Sequence, residues 1–373
     1  MHAIAQPKQL LFVCFFLITS CVSAQNKRNA SSAKTAAGLK VGTELYNSGN
    51  YAAAISNFKE ITTKYPSDSA YNALAYTYLL SEDYPNALQA ANQSISLNDK
   101  LAASYNIRGM AHRKQEAFDL AIADFTKAIA LAPQETSAYT NRQEAYMNKG
   151  AFQLTIDDCS KIIELEPTNQ RAYRNRATAY FFIKDMDRAV ADASKALDLD
   201  ATDIQAYRIR AGARFVLDQN YDLALEDFNK IVALDSSEAD HYANRAAMFM
   251  YKKDFAAAIA DYSKAIDLEK ENKDAHYAER GKALVFSGDH ARAMQDFDQA
   301  IALAPSNSEY YRNRGRGHVY MEKYEEAIKD YTQAIALDPS DPLALEYRSE
   351  AYQKTGNTDL ADEDMQKAQQ MSK

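Results

Sequence analysis

The stretch Tyr310–Pro339, YYRNRGRGHVYMEKYEEAIKDYTQAIALDP, contains two amphipathic segments in succession. In the first segment Tyr311, Gly315 and His318 recur at helical spacing. The second segment has the same kind of spacing and ends at Pro339, which cannot continue a helix. The stretch therefore predicts a pair of helices joined by a short turn.

The same pattern returns along the chain with a period of about 34 residues, which is typical of helix–turn–helix arrays. Two extra residues fall near 218–220 and 269–274, where the pattern predicts loops. The position of Tyr311 is occupied in the successive units from the second onward by Tyr71, Tyr105, Tyr139, Tyr173, Tyr207, Tyr242, Tyr277, Tyr311 and Leu345.

The units resemble the tetratricopeptide repeat family. YNALAYTY at Tyr71–Tyr78 matches the first half of that family's pattern, and YEEAIKDYTQAIALDP at Tyr324–Pro339 matches the second. The resemblance implies an all-α fold, a right-handed superhelical solenoid of antiparallel helix pairs. It also implies a non-catalytic protein that binds a protein or peptide in its concave groove.

About ten units are predicted, and the first and last are the most divergent, as expected where an array meets water. The predicted segments are a signal peptide at 1–24, a flexible linker at 25–34, and repeats at 35–67, 68–101, 102–135, 136–169, 170–203, 204–238, 239–273, 274–307, 308–341 and 342–373.

The N-terminus has the features of an export signal. Lys8 precedes an apolar run, Leu10–Ile18, that is too short to span a bilayer, and small residues lead to Ala24. We expect cleavage after Ala24 and a periplasmic or secreted protein. Alternatively, ITSC resembles a bacterial lipobox, which predicts a lipidated Cys21 and a membrane-anchored lipoprotein.

The composition excludes several classes of protein. The formal net charge of −8 disfavours general attraction to nucleic acid, which argues against the RNA-binding helical-repeat alternative. Only Cys159 lies outside the signal region, so no internal disulfide is expected, and its unit is expected to pack more loosely. The sequence has no catalytic, cofactor or metal-binding motif. We predict that the protein is not an enzyme and needs no cofactor.

Arginine recurs three residues after the tyrosine position in eight units, and the same units carry an aspartate on their second helix. The first two units have Val41 and Leu74 in place of the arginine, and Asn57 and Ala90 in place of the aspartate. This co-occurrence predicts structural ion pairs between packed helices. The pairs are Arg108–Asp124, Arg142–Asp158, Arg176–Asp192, Arg210–Asp227, Arg245–Asp261, Arg280–Asp296, Arg314–Asp330 and Arg348–Asp364.

The two positions directly after the tyrosine vary from unit to unit, and the resemblance places them in the concave groove. An apolar stripe follows on the same helices in the middle units. Part of that stripe is expected to pack between units and the remainder to be exposed for binding. The candidate partner-binding residues are Asn141, Arg171, Arg174, Asn175, Phe182, Arg208, Phe215, Asn244, Met250, Arg312 and Asn313.

The sequence therefore predicts an exported interaction scaffold whose ligand carries acidic and apolar side chains. An alternative is an accessory or assembly subunit of a cell-envelope complex that holds an enzyme partner. Contact with a membrane is expected only through a lipid anchor.

Overall fold

A computed structural model describes residues 30–218 and 221–371. These residues form twenty α-helices and no β-strand. Along the chain, the first and the second helix of a repeat alternate. The all-α class and the helix-pair architecture are therefore confirmed. The signal peptide and Cys21 lie outside the described residues.

The helices fall into two units, 30–199 and 200–371, within which successive helices pack against each other. Helix α1 begins inside the segment that the sequence predicts as a linker. In the first unit the helices are α1 (Ala30–Asn47), α2 (Tyr51–Lys64), α3 (Asp68–Leu80), α4 (Tyr84–Leu97), α5 (Ala102–Lys114), α6 (Phe118–Leu131), α7 (Thr136–Asn148), α8 (Phe152–Leu165), α9 (Gln170–Phe182) and α10 (Met186–Leu199).

In the second unit the odd-numbered helices are again the first helices of their repeats. They are α11 (Ile204–Asp218), α12 (Tyr221–Leu234), α13 (Ala239–Tyr251), α14 (Phe255–Leu268), α15 (Asp274–Ser287), α16 (His290–Leu303), α17 (Ser308–Tyr320), α18 (Tyr324–Leu337), α19 (Pro342–Lys354) and α20 (Thr358–Met371).

The turn between the two helices of a repeat has the same geometry in most repeats. One residue adopts a left-handed conformation, such as Gly288 at φ 88° or Lys253 at φ 61°. The next residue is the N-cap of the second helix, and in several repeats it is an aspartate whose side chain accepts from a backbone N–H of the first turn. Asp254 accepts from Ala257 N at 3.1 Å in this way.

Close approach of the two helices in a repeat depends on a small residue facing an aromatic ring. A Cβ placed on Gly281 would lie 2.7 Å from Cε1 of Phe297, so only glycine fits beneath that ring in this arrangement. Gly315 and Tyr331 repeat the contact at the same distance. The small residue of the family pattern thus leaves room for the aromatic ring of the second helix.

The repeat that contains Cys159 reverses this size relationship. Gln143 occupies the small position and Cys159 the aromatic one, and both side chains are buried. Their Sγ and Oε1 atoms lie 3.5 Å apart. The expectation of looser packing was wrong, because the larger residue on the first helix fills the space left by the smaller one. Burial also raises the pKa of Cys159 to about 12.

Candidate interaction surface

The recurrent arginine and aspartate of a repeat form a bidentate ion pair. Arg245 donates from Nε to Oδ2 of Asp261 at 2.6 Å and from Nη2 to Oδ1 at 2.8 Å. The Arg245 side chain is 19% exposed and that of Asp261 is 10% exposed. All eight predicted pairs form with this fork geometry, which suits a guanidinium beside a carboxylate.

Guanidinium groups of these pairs also link their repeats to the repeat before. Nη1 of Arg245 donates to Oδ1 of Asn229 at 3.0 Å, and Asn229 lies on the second helix of the preceding repeat. The tyrosine one helical turn earlier, Tyr242, has its ring centroid 5.6 Å from the guanidinium carbon. Equivalent acceptors on preceding second helices are Asn92, Thr126, Ser160, Ser263, Asp298 and Thr332.

We name this set of pairs the arginine ladder. Hydrogen bonding to Asp261 raises the pKa of Arg245 above its ordinary value, and hydrogen bonding to Asp330 does the same for Arg314. The guanidinium therefore stays charged, and its N–H groups donate to residues of the array. The sequence YRNR occurs at 173–176 and 311–314, and its second arginine, Arg176 or Arg314, thus contacts the protein itself.

The candidate arginines at the variable positions do not form one group. Arg171 and Arg208 are exposed, and Arg174 is half-buried. Arg312 instead pairs through Nη1 with Oδ2 of Asp341, which caps helix α19 of the next repeat. Arg312 differs in this way from Arg171 and Arg208, and its pairing with Asp341 could not be seen within one repeat. Its contact with a partner stays a prediction.

The candidate asparagines also lie in different environments. Asn244 is exposed and Asn175 is half-buried. Asn141 donates from Nδ2 to Oδ1 of Asn106 at 2.9 Å, so it links two repeats. Asn313 is only 7% exposed, and its Nδ2 atom is buried without a hydrogen-bond partner.

The apolar stripe divides into an inner and an outer member in each repeat. The inner members are at least half buried: Met250 packs against a cluster containing Tyr262, and Phe215 lies 4.8 Å from the ring of Tyr251. Met250 and Phe215 are therefore only partly exposed, and their contact with a partner stays a prediction. The outer members are Phe182 (56% exposed), Val216 (52%), Tyr251 (55%), Phe286 (45%) and Tyr320 (51%).

The outer aromatic rings are held by the first residue of the preceding second helix. Phe152 stacks on Phe182 with centroids 4.7 Å apart and an interplanar angle of 8°. In the second unit Tyr221 stacks on Tyr251 at 5.7 Å. Each ring is thus fixed on one side and open to solvent on the other, which suits a preformed contact surface.

A pocket lies between α15 and α17, beside two of these outer rings. Lys282, Asn313 and Arg316 line it together with Phe286 and Tyr320. Sequence reasoning missed Lys282 and Arg316. The spacing of Arg316 gives a signal, because it stands four residues after Arg312 and three after Asn313, about one helical turn, on the same side of α17.

Within the part of the chain that the structure describes, no group of three or more His, Cys, Asp or Glu residues is arranged to hold a metal ion. No helix within 30–218 or 221–371 is both long and apolar enough to cross a membrane. His112 and His318 lie beside ladder aspartates, with Nε2–Oδ2 distances of 3.9 Å and 3.6 Å to Asp124 and Asp330.

Comparison with known proteins identifies the repeats. Models of the tetratricopeptide repeat match residues 39–102, 244–308, 102–135 and 170–203, and a TPR repeat model matches 315–356. No curated protein matches the chain.

Several solved structures are similar to parts of this chain. The C-terminal part of a TPR repeat-containing protein from Cytophaga hutchinsonii is 24% identical, with a TM-score of 0.55 over 64% of this chain and 97% of its own. A tetratricopeptide repeat protein from Parabacteroides merdae is 20% identical, with a TM-score of 0.49 over 70% of this chain and 98% of its own. YrrB, described as a TPR protein with an unusual peptide-binding site, is 24% identical, with a TM-score of 0.43 over 50% and 95%.

The repeat models recur in phase with the tyrosine positions, and the helix pairs have the architecture that the models describe. The chain belongs to the tetratricopeptide repeat family.

Proposed function

We propose that this protein is an exported interaction scaffold that holds a protein or peptide partner against the first helices of its repeats. Members of the family are generally non-catalytic scaffolds, which supports a binding role. The observation that carries the proposal is the set of outer stripe residues. In the second unit these are Val216, Tyr251, Phe286 and Tyr320.

Exposure of the outer stripe to water is energetically unfavourable unless a partner covers it. Solvent-exposed aromatic side chains at equivalent positions of consecutive repeats leave apolar area in water, and area of this kind usually marks an interaction site. Stacking also immobilises the rings. Phe255 stacks on Phe286, for example, with ring centroids 5.5 Å apart. A partner that covers them therefore loses little side-chain entropy on the scaffold's side.

The partner's chemistry follows from the surroundings of the stripe. Arg208 and Asn244 are exposed on the same first helices in the second unit, and Arg171 is exposed in the first. These side chains favour a ligand with acidic groups near its apolar residues. Charges of this kind steer association, and the apolar contacts hold the complex.

The stripe is tested by replacing its rings and measuring capture of partners from an envelope extract by cross-linking. The triple variant Tyr251→Ser/Phe286→Ser/Tyr320→Ser should lose at least about tenfold in capture, since buried aromatic anchors carry most binding energy. The matched control is Leu234→Ser/Leu303→Ser, which removes leucines of similar exposure from second helices. Equal capture by wild type and both variants would place the ligand elsewhere.

The charged residues are tested separately. Arg208→Glu should slow association several-fold and make it less dependent on salt, because it reverses an exposed charge beside the stripe. Circular dichroism checks that helicity is kept. Unchanged association rates at low salt would show that Arg208 does not face the partner.

Export is proposed from the signal at the N-terminus, with cleavage after Ala24 favoured over lipidation of Cys21. N-terminal sequencing and lipid labelling of the protein from its native cells distinguish the two. Gln25 as the first residue without label supports simple cleavage, and a labelled Cys21 supports the lipoprotein. Recovery of the unprocessed chain from the cytosol contradicts both.

A further inference from the structure

The side chains that support the outer rings in the second unit are not chemically alike. Phe255 stacks on Phe286 with ring centroids 5.5 Å apart. In the following repeat the support is a histidine, and the imidazole of His290 lies 6.2 Å from the ring of Tyr320 at an interplanar angle of 13°. Imidazole is the side chain whose ordinary change of charge falls between about pH 5 and 8. One support of the stripe can therefore gain a positive charge on mild acidification.

The stacked position of His290 suits the neutral ring. Its Nδ1 atom is buried and has no hydrogen-bond partner among the residues that the structure describes. A neutral imidazole holds one proton on either nitrogen, so it can leave Nδ1 unprotonated. An imidazolium has N–H groups at both nitrogens. In this position Nδ1 would then be a buried donor without an acceptor, which is unfavourable.

The charged groups next to His290 do not supply that acceptor. Asp289 precedes it at the start of α16, and its carboxylate accepts from the backbone N–H of Arg292 at 3.3 Å. The same carboxylate pairs with Nη1 of Arg292, also at 3.3 Å. From α17 the imidazole meets the uncharged ring of Tyr320. Attraction between a cation and this ring would be weak, because 6.2 Å is at the outer limit of that interaction.

From this geometry we infer that His290 is a pH-sensitive support of the outer stripe, and that its protonation releases the ring of Tyr320. The inference rests on the proposed function and concerns regulation of the same surface. The imidazolium finds an acceptor for Nδ1 only by leaving the stack. Tyr320 then keeps its edge contact with Phe286, at 6.4 Å, but loses the ring that fixes its face. A less preordered ring binds a partner more weakly, so binding at the stripe decreases as the pH falls.

The release is measured on the ring itself. 4-Fluorophenylalanine, which has no phenol to titrate, replaces Tyr320 in the full chain, and its ¹⁹F signal is followed between pH 7.5 and 5.5. We expect the signal to shift and to narrow at pH 5.5, because a ring freed from its stack moves faster. The variant His290→Phe installs the support that Phe255 provides in the preceding repeat. Its signal should be the same at both pH values.

The matched control is His318→Tyr. His318 lies on α17 two residues before Tyr320, but its Nε2 atom is 3.6 Å from Oδ2 of Asp330. Its removal should leave the pH response of the label intact. Circular dichroism at both pH values checks that each variant keeps its helices.

Partner capture from the envelope extract tests the consequence for binding. Wild type should capture at least about threefold less at pH 5.5 than at pH 7.5, because the acid form of the stripe is less preordered. His290→Phe should retain most of its capture at pH 5.5. Titration of groups on the partner affects both proteins equally, so the difference between them reports on His290.

Three results overturn the inference. They are a fluorine signal that does not respond to pH, a response that persists in His290→Phe, and an equal acid-induced loss of capture in wild type and His290→Phe. Failure of the proposed function looks different, because neither protein then captures a partner at pH 7.5. In that case the fluorine signal alone decides whether His290 controls the ring of Tyr320.

Discussion

The first two repeats and the repeats that follow are held together by different contacts. In repeat 2, Leu74 and Ala90 occupy the ladder positions and are both 5% exposed. They belong to one apolar cluster that runs from Leu39 in the first repeat to Ala111 in the third. In the third repeat, by contrast, the apolar residues divide into two smaller clusters, one with Ala128 and one with Phe125.

The ladder lies at this division. Asp124 is one helical turn from Ala121 on one side and Ala128 on the other, and those alanines belong to different clusters. Repeat 1 illustrates the intermediate case, because Asn57 Oδ1 is buried without a partner where Val41 replaces the arginine. Apolar packing is non-directional, whereas a fork hydrogen bond fixes angle and distance. The fork therefore sets how the two helices of a repeat meet, and the Nη1 bond joins that pair to the preceding repeat, at some loss of continuous core.

The largest expected effect comes from breaking one ladder pair. Arg245→Ala leaves the Asp261 carboxylate buried without its cation, and it also removes the link to Asn229. We expect a loss of about 2–4 kcal/mol in the free energy of unfolding, reduced from a fully buried pair because Arg245 is partly exposed. Urea unfolding followed by circular dichroism measures it.

The matched control for this change is Arg292→Ala. Arg292 pairs with Asp289 in the same unit, but its side chain is 56% exposed. Its loss should cost less than about 1 kcal/mol. If the two variants unfold at the same urea concentration, the ladder contributes no more than a surface pair.

A smaller effect is expected when the ladder pair is replaced by the apolar pair of repeat 2. Arg245→Leu/Asp261→Ala reproduces Leu74 and Ala90, so no buried charge is left over. Substitution of a buried ion pair by apolar residues is often close to neutral. The double variant should recover more than half of the stability lost in Arg245→Ala. A double variant as unstable as the single one would mean that geometry supplied by the fork is indispensable in repeat 7.

The smallest expected effect is a dependence of stability on pH, which arises from histidines that the first two repeats lack. Burial lowers the pKa of His112 and His318 below the usual 6.5 and outweighs the ladder aspartates Asp124 and Asp330, which act in the opposite direction. The unfolded chain then binds more protons than the folded one below pH 6.5, so stability is complete above that value and falls as the pH decreases. The first two repeats have Leu45 and Tyr78 at this position.

The measurement is the difference in Tm between pH 7.5 and 5.5 for wild type and for His112→Tyr/His318→Tyr, which installs the family's residue. The variant should lose less stability on acidification, by about 1–3 °C. An identical acid shift in both proteins would show that these histidines titrate as they do in the unfolded chain.

Much of the fold could be predicted from the sequence because its causes are local and repeat in phase. The spacing of Tyr311, Gly315 and Ala327 predicts two helices and their packed faces, and the turn and cap residues bound them. The Arg–Asp pairing was visible as well, since both residues are absent together from the first two repeats. Repetition within one chain served there as an internal comparison.

The candidate site was less predictable. Adjacent stripe residues such as Met250 and Tyr251 differ by about 100° around a helix, and helical periodicity alone does not say which of two neighbours meets the next repeat. The partner of Arg312 and the isolation of Asn313 depend on side chains from another repeat. Ladder and helix pairs were thus determined by the sequence, because each is fixed within one repeat. Exposure, the Asp341 contact and the pocket were decided only by stacking, because residues distant in sequence enclose them.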